Sequence, residues 1–115
     1  MSVTMYHNPR CSKSRETLAL LNQKGIEPEI IEYLSSPPDA TQLKKILGLL
    51  GLSTREIIRT KDELYKEINL DNEDLDDNQI IAALIENPKL IERPIVLANG
   101  KAAIGRPPEN ILEIL

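Results

Sequence analysis

Cys11 is where chemistry can enter this chain. It is the only cysteine of the protein and stands in the stretch Tyr6-His7-Asn8-Pro9-Arg10-Cys11-Ser12-Lys13-Ser14-Arg15. Val3-Thr4-Met5-Tyr6, just ahead, is short, largely apolar and β-prone, and predicts a strand. Thr17-Leu18-Ala19-Leu20-Leu21, just behind, predicts an amphipathic helix that stops at Gly25. The sulfur is therefore expected in a strand-to-helix turn, near first-turn N–H groups, where the helix dipole favours an anion. Such a position lowers a thiol pKa and supplies thiolate, the nucleophilic form. Arg10, Lys13 and Arg15 bring positive charge into the same stretch and are expected to push the same way. His7 is four residues from Cys11, and a Cys–His contact is left open. A lone cysteine is more often a small buried hydrophobe. The turn and the flanking cations favour the reactive reading, because they are the features that activate thiols.

Without a second cysteine the chain cannot close an internal disulfide, which fits a reducing compartment. Any redox cycle through Cys11 then needs an external thiol. Two arginines carry a positional signal of their own. Arg93 and Arg106 each directly precede a proline beside a predicted strand end. A guanidinium fork matches the oxygens of a tetrahedral, phosphate-like anion in a bidentate way.

The elements that must position these residues follow from the pattern. Glu29-Ile30-Ile31-Glu32-Tyr33 predicts a second strand, and strand-helix-strand at this spacing is a βαβ unit with a parallel pair. After Pro37-Pro38, Asp39 is placed to cap a helix through Leu43, Ile46, Leu47 and Leu50, which Gly51 ends. Ser53 is placed to cap a short segment with Ile57 and Ile58, which Arg59 leaves. Residues 60–78 are strongly charged with few apolar anchors, and the acidic run Asp71 to Asp77 reads as solvated surface. A helix is expected from Asp77 to Glu86, stopped by Asn87-Pro88.

Strand character returns at Pro94-Ile95-Val96-Leu97, and Asn99-Gly100 is a two-residue hairpin signal leading into Lys101-Ala102-Ala103-Ile104. A proline opening a strand suits an edge or a site-facing loop. Gly105-Arg106-Pro107-Pro108 leads into a last helix through Ile111, Leu112 and Leu115. The order predicts an α/β protein with a thioredoxin-like fold, carrying a mostly helical insertion between its βαβ and ββα halves, as one domain over residues 1–115.

Composition narrows the class. With 115 residues the chain can build one modest core, from Leu, Ile, Val and Ala because Trp and Phe are absent. A net charge of −4 argues against nucleic-acid binding, which needs a basic face. No apolar stretch approaches membrane-spanning length and no signal-type segment opens the chain, so no membrane role and a cytoplasmic location are expected.

The motifs together resemble the glutathione- and glutaredoxin-linked, ArsC-type arsenate reductases. The likeness runs from end to end: Tyr6-His7-Asn8-Pro9 with Cys11, Ser14-Arg15, Tyr33-Leu34 with Pro37-Pro38, the Arg59 segment, Glu92-Arg93-Pro94-Ile95-Val96, and Gly105-Arg106-Pro107. What the resemblance implies is a catalytic Cys11 that attacks arsenate, with His7 and Ser14 in supporting roles close to the thiolate. It implies that Arg59, Arg93 and Arg106 hold the oxyanion, with no metal and no bound cofactor. Glutathione serves as cosubstrate, and glutaredoxin resolves the mixed disulfide as arsenite leaves. Ser12-Lys13 stand where established members carry Gly-Thr. The same fold, an Arg-Pro-Ile segment and a first-loop cysteine also occur in Spx-type regulators, which bind RNA polymerase. Their switch usually needs Cys-x-x-Cys, and the second position here is Ser14. A glutathione-binding module without turnover is a third alternative.

Overall fold

The computed structural model describes residues 2–115. Its elements are β1 (Val3–Tyr6), α1 (Ser12–Gln23), β2 (Glu29–Ile31), α2 (Ala40–Leu50), α3 (Glu63–Glu67), α4 (Asp77–Glu86), β3 (Ile95–Ala98) and β4 (Lys101–Ile104), with 3-10 segments at Arg55–Ile57, Pro88–Leu90 and Pro108–Ile114. The four strands form one mixed sheet in the order β2-β1-β3-β4. β1 and β2 are parallel, as the intervening helix requires, and β1–β3 and β3–β4 are antiparallel. This is the α/β, thioredoxin-like arrangement that the element order predicted.

The chain divides into two compact units. One comprises the residues up to Ser36 together with Arg93–Leu115, and the other is Pro37–Glu92. The first unit holds the sheet, α1 and the C-terminal 3-10 segment. Its core joins Val3 and Met5 of β1, Leu21 of α1, Val96 and Ala98 of β3, and Ile111 and Ile114. The register explains this set, since Val3 lies opposite Ala98 and Met5 opposite Val96. Alternate residues along each strand therefore share the face that α1 and the C-terminal segment cover. The second unit is helical, and α2 and α4 contact each other in it.

Local chemistry sets the boundaries. Asp39 caps α2 and Asp76 caps α4, each through a reciprocal capping box with the glutamine three residues on. Gly51 closes α2 with φ of 69°, a left-handed conformation that costs a glycine little. Asn99 and Gly100 both have positive φ (54° and 71°), the pair of values that a type I′ hairpin turn needs. Asp76→Ala should cost about 1 kcal/mol, because the Gln79 N–H loses its acceptor. A thermal melt should record it as a drop of a few degrees, and no drop would mean that packing alone starts this helix.

Three details differ from the sequence-based expectation. The charged stretch 60–78 contains a short helix, α3, capped by the Asp62 side chain on the Leu64 N–H, and it leads to the fully buried Leu70. The last helix is 3-10 instead of α: its buried residues Pro108, Ile111 and Ile114 recur every third position, which is the 3-10 repeat. Of the two settings expected for Pro94, an edge strand or a loop, the structure shows the loop, and the strand itself starts one residue later than expected. β3 lies between β1 and β4, and Pro94 sits in the loop before it, its carbonyl accepting the Gly105 N–H at 2.9 Å. The peptide bonds Arg93–Pro94 and Arg106–Pro107 are both cis. No helix among the described residues is long and apolar enough to cross a membrane.

Candidate active site

Cys11 is the N-cap residue of α1, with extended backbone angles (φ −90°, ψ 124°). Asn8 builds the turn ahead of it. The Asn8 carbonyl accepts the Cys11 N–H at 3.0 Å, and its side-chain oxygen accepts the Arg10 N–H at 3.0 Å. The sulfur is partly exposed. Its burial pushes the thiol pKa up, but the Ser14 N–H, the Arg93 charge, the Lys13 N–H and the Arg106 guanidinium together hold it below the ordinary thiol value. Arg106 Nη1 lies 3.8 Å from the sulfur and also reaches the Arg93 carbonyl at 3.4 Å. A sulfur facing helix N–H groups and two guanidinium charges sits in surroundings that favour its anionic form.

The cations that matter are not all those the sequence placed beside Cys11. Lys13 pairs with Glu16 at 3.3 Å, and Arg15 donates to the Pro9 carbonyl at 3.0 Å. The charges that hold the thiol down come instead from Arg93 and Arg106, roughly the length of the chain away in sequence. Both belong to the unit that contains Cys11.

Ser14 and His7 lie beneath the turn and are buried. His7 Nδ1 is 2.6 Å from Ser14 Oγ, and Ser14 Oγ also accepts the Asn8 N–H at 3.0 Å. The open Cys–His question is thus resolved toward serine: the ring nitrogen faces the Ser14 hydroxyl, which ties the start of α1 to the end of β1. Burial holds the His7 pKa below its ordinary value, Glu32 opposes this, and Arg15 adds to it. The fold therefore favours neutral His7, and its contribution to stability is complete above the ordinary pKa of about 6.5. It is lost as pH falls through the lower folded value. The urea midpoint should decline as pH falls below about 6.5, and the decline should flatten in His7→Asn. An equal decline in that variant would assign it to other groups.

Arg59 belongs to the other unit. Its N–H donates to the Leu90 carbonyl at 2.7 Å and its Nη1 to the Lys89 carbonyl at 3.1 Å, with Asp62 at 3.8 Å. The Asp62 carboxyl is held below its ordinary pKa, first by the Leu64 N–H and further by Lys89 and Arg59. The resemblance groups Arg59 with the other two arginines, whereas the contacts just given are those of an anchor within its own unit.

Two residues near the site carry no clear mark in the sequence. Thr17 is fully buried in α1, and Gly105 closes β4 against it. A Cβ at position 105 would come within 2.9 Å of Pro94 Cγ and closer still to Thr17 Oγ1. Gly105→Ala should therefore destabilise by roughly 1–3 kcal/mol through overpacking, read as a lower denaturation midpoint; an unchanged midpoint would show that the contact yields freely. A buried threonine in an amphipathic helix carries no signal by itself, and only the turn around Gly105-Arg106 hints at a close approach. Among the described residues no group of three or more His, Cys, Asp or Glu side chains is placed to hold a metal ion.

The model of the ArsC family matches residues 6–114. This chain belongs to the ArsC family. Its relatives include the uncharacterized protein YfgD of Escherichia coli K12, 58% identical over 98% of this chain and 96% of its own length. An arsenate reductase of Haemophilus influenzae is 56% identical over the whole of both chains. Among solved structures, the arsenate reductase from Vibrio cholerae is 57% identical and superposes with a TM-score of 0.97, covering 100% of this chain and 98% of that one. The ArsC relationship thus spans both compact units.

Proposed function

We propose that this protein reduces arsenate to arsenite, with the Cys11 thiolate as nucleophile and with glutathione and glutaredoxin as external reductants. The observation that carries the reading is the Cys11 sulfur at the start of α1 with Arg106 Nη1 3.8 Å away. Relatives that bear the name arsenate reductase across their full length support the choice of oxyanion.

The steps balance without any group beyond the named thiols. The Cys11 sulfur bonds to arsenic while one arsenate oxygen, protonated, leaves as water. A glutathione thiolate then bonds to the Cys11 sulfur, and the electron pair of the broken S–As bond stays on arsenic. Arsenite departs, and Cys11 is left in a disulfide with glutathione. A glutaredoxin thiol takes over the glutathione and releases Cys11 as thiolate. Because the chain has no second cysteine, each resolving thiol has to come from outside.

Arg106 and Arg93 supply fixed positive charge at the position where the arsenate oxygens would lie, and preorganised charge of this kind is usually the largest catalytic term. Ser14 and His7 act one step back by fixing the turn that carries the thiolate. The oxyanion role of Arg59 rests on the resemblance alone. NADPH oxidation coupled through glutathione reductase should require arsenate, glutathione, glutaredoxin and this protein together. Undiminished oxidation after glutaredoxin is omitted would refute the proposed reductant, and no oxidation in the complete mixture would refute arsenate as the substrate.

A further inference from the structure

Thr17 is fully buried and belongs to neither the nucleophile nor the oxyanion set. Its Oγ1 donates to the Lys13 carbonyl at 2.8 Å and reaches the Gly105 carbonyl at 3.4 Å. The first contact is the back-bond that any helical threonine can make to the residue four before it. The second is of another kind, because it crosses 88 residues of sequence to the end of β4. Gly105 also approaches so closely that no Cβ fits between it, Thr17 and Pro94.

The consequences run to both cationic residues of the site. Arg106 directly follows Gly105, and the Gly105 N–H is bonded to the carbonyl of Pro94, which directly follows Arg93. Arg106 Nη1 then spans the Arg93 carbonyl and the Cys11 sulfur. On the other side, Thr17 grips the carbonyl of Lys13, the residue whose N–H helps to hold the thiolate. No atom of Thr17 is needed at the sulfur for it to govern what surrounds the sulfur.

We propose that Thr17 is a positioning residue: its buried hydroxyl, bonded to Lys13 and held against Gly105, locks the exit of β4 onto the first turn of α1 and so sets Arg93 and Arg106 together against Cys11. The proposal rests on Cys11 being the reactive thiolate of the proposed function, and it does not depend on arsenate being the substrate. A threonine that merely filled space would be replaced without loss by valine, which has the same shape and no hydroxyl.

The test is the pH profile of Cys11 alkylation by iodoacetamide on the full chain. Thr17→Val should shift the profile upward by about half to one pH unit, so that alkylation on the acid side of the wild-type midpoint slows roughly three- to tenfold. Thr17→Ser, which restores the hydroxyl, should recover most of the lost rate. Leu43→Ala, a core truncation in the other unit, should lower the melting temperature and leave the profile in place. A Thr17→Val profile that superposes on wild type would overturn the proposal, as would Thr17→Ser alkylating as slowly as Thr17→Val. Should circular dichroism show Thr17→Val unfolded, Thr17→Ala takes its place: an upward shift supports the proposal and a wild-type profile overturns it. These readouts need no arsenate turnover, so a failure of the arsenate reading and a failure of this one are told apart.

Discussion

Cys11→Ser is expected to abolish arsenate reduction while leaving the fold intact. Serine at this position cannot form a thiolate at neutral pH, cannot bond to arsenic through sulfur and cannot enter a disulfide with glutathione. Removing a covalent nucleophile typically costs on the order of 10⁴-fold or more, so turnover should fall to background. Stability should move the other way. The Ser14 and Lys13 N–H groups favour the charged Cys11 sulfur without closing a regular cap hydrogen bond to it, whereas serine is a favoured N-cap, worth from a few tenths to about 1 kcal/mol. The expected pairing is therefore lost activity with an equal or higher melting temperature, the usual sign of a site kept for function against local stability. Residual turnover in Cys11→Ser within tenfold of wild type would exclude Cys11 as the nucleophile.

The parts of this fold that are legible in the sequence are those fixed by local chemistry. The cap at Asp39, the stop at Gly51 and the hairpin at Asn99-Gly100 each follow from a few neighbouring residues. The strand–helix–strand spacing then forces the parallel pair of β1 and β2. α3 is not legible, because its five residues include no buried side chain and its one strong signal, the Asp62 cap, lies inside a run of charges. The 3-10 geometry of the C-terminal segment is visible only as a spacing of three between Pro108, Ile111 and Ile114, which four-residue helical spacing easily hides.

The site divides in the same way. The place of Cys11 at a helix start is readable, since a strand and a helix flank it at close range. The electrostatics are not set by sequence neighbours. Residues on the first turn of a helix radiate outward, and Lys13 and Arg15 find Glu16 and the Pro9 carbonyl there. The charges that act on the sulfur arrive through sheet topology, because β3 and β4 bring Arg93 and Arg106 to the same end of β1. Only their positions before Pro94 and Pro107 mark them in the sequence. Nothing in the sequence pairs Thr17 with Gly105, which meet only after β4 is laid down beside β3.

Arg106→Lys should lower kcat on the order of a hundredfold, the usual cost of losing one preorganised donor to developing negative charge. Lysine keeps the charge but not the planar fork that meets two oxygens of a tetrahedral anion in a bidentate way. In this protein Nη1 of Arg106 reaches both the Arg93 carbonyl and the Cys11 sulfur, so the backbone contact holds the fork where it meets the anion. Arg106 is the last and smallest of the influences that lower the Cys11 pKa, behind the Ser14 N–H, the Arg93 charge and the Lys13 N–H. The alkylation profile should therefore move up only slightly, and the loss in kcat should far exceed the loss in thiolate. That inequality separates transition-state stabilisation from simple thiol activation. If KM for arsenate rises with kcat unchanged, Arg106 contributes uniform binding only. If kcat falls merely in proportion to the thiolate fraction, its role ends at the sulfur, and the oxyanion must be held by other groups.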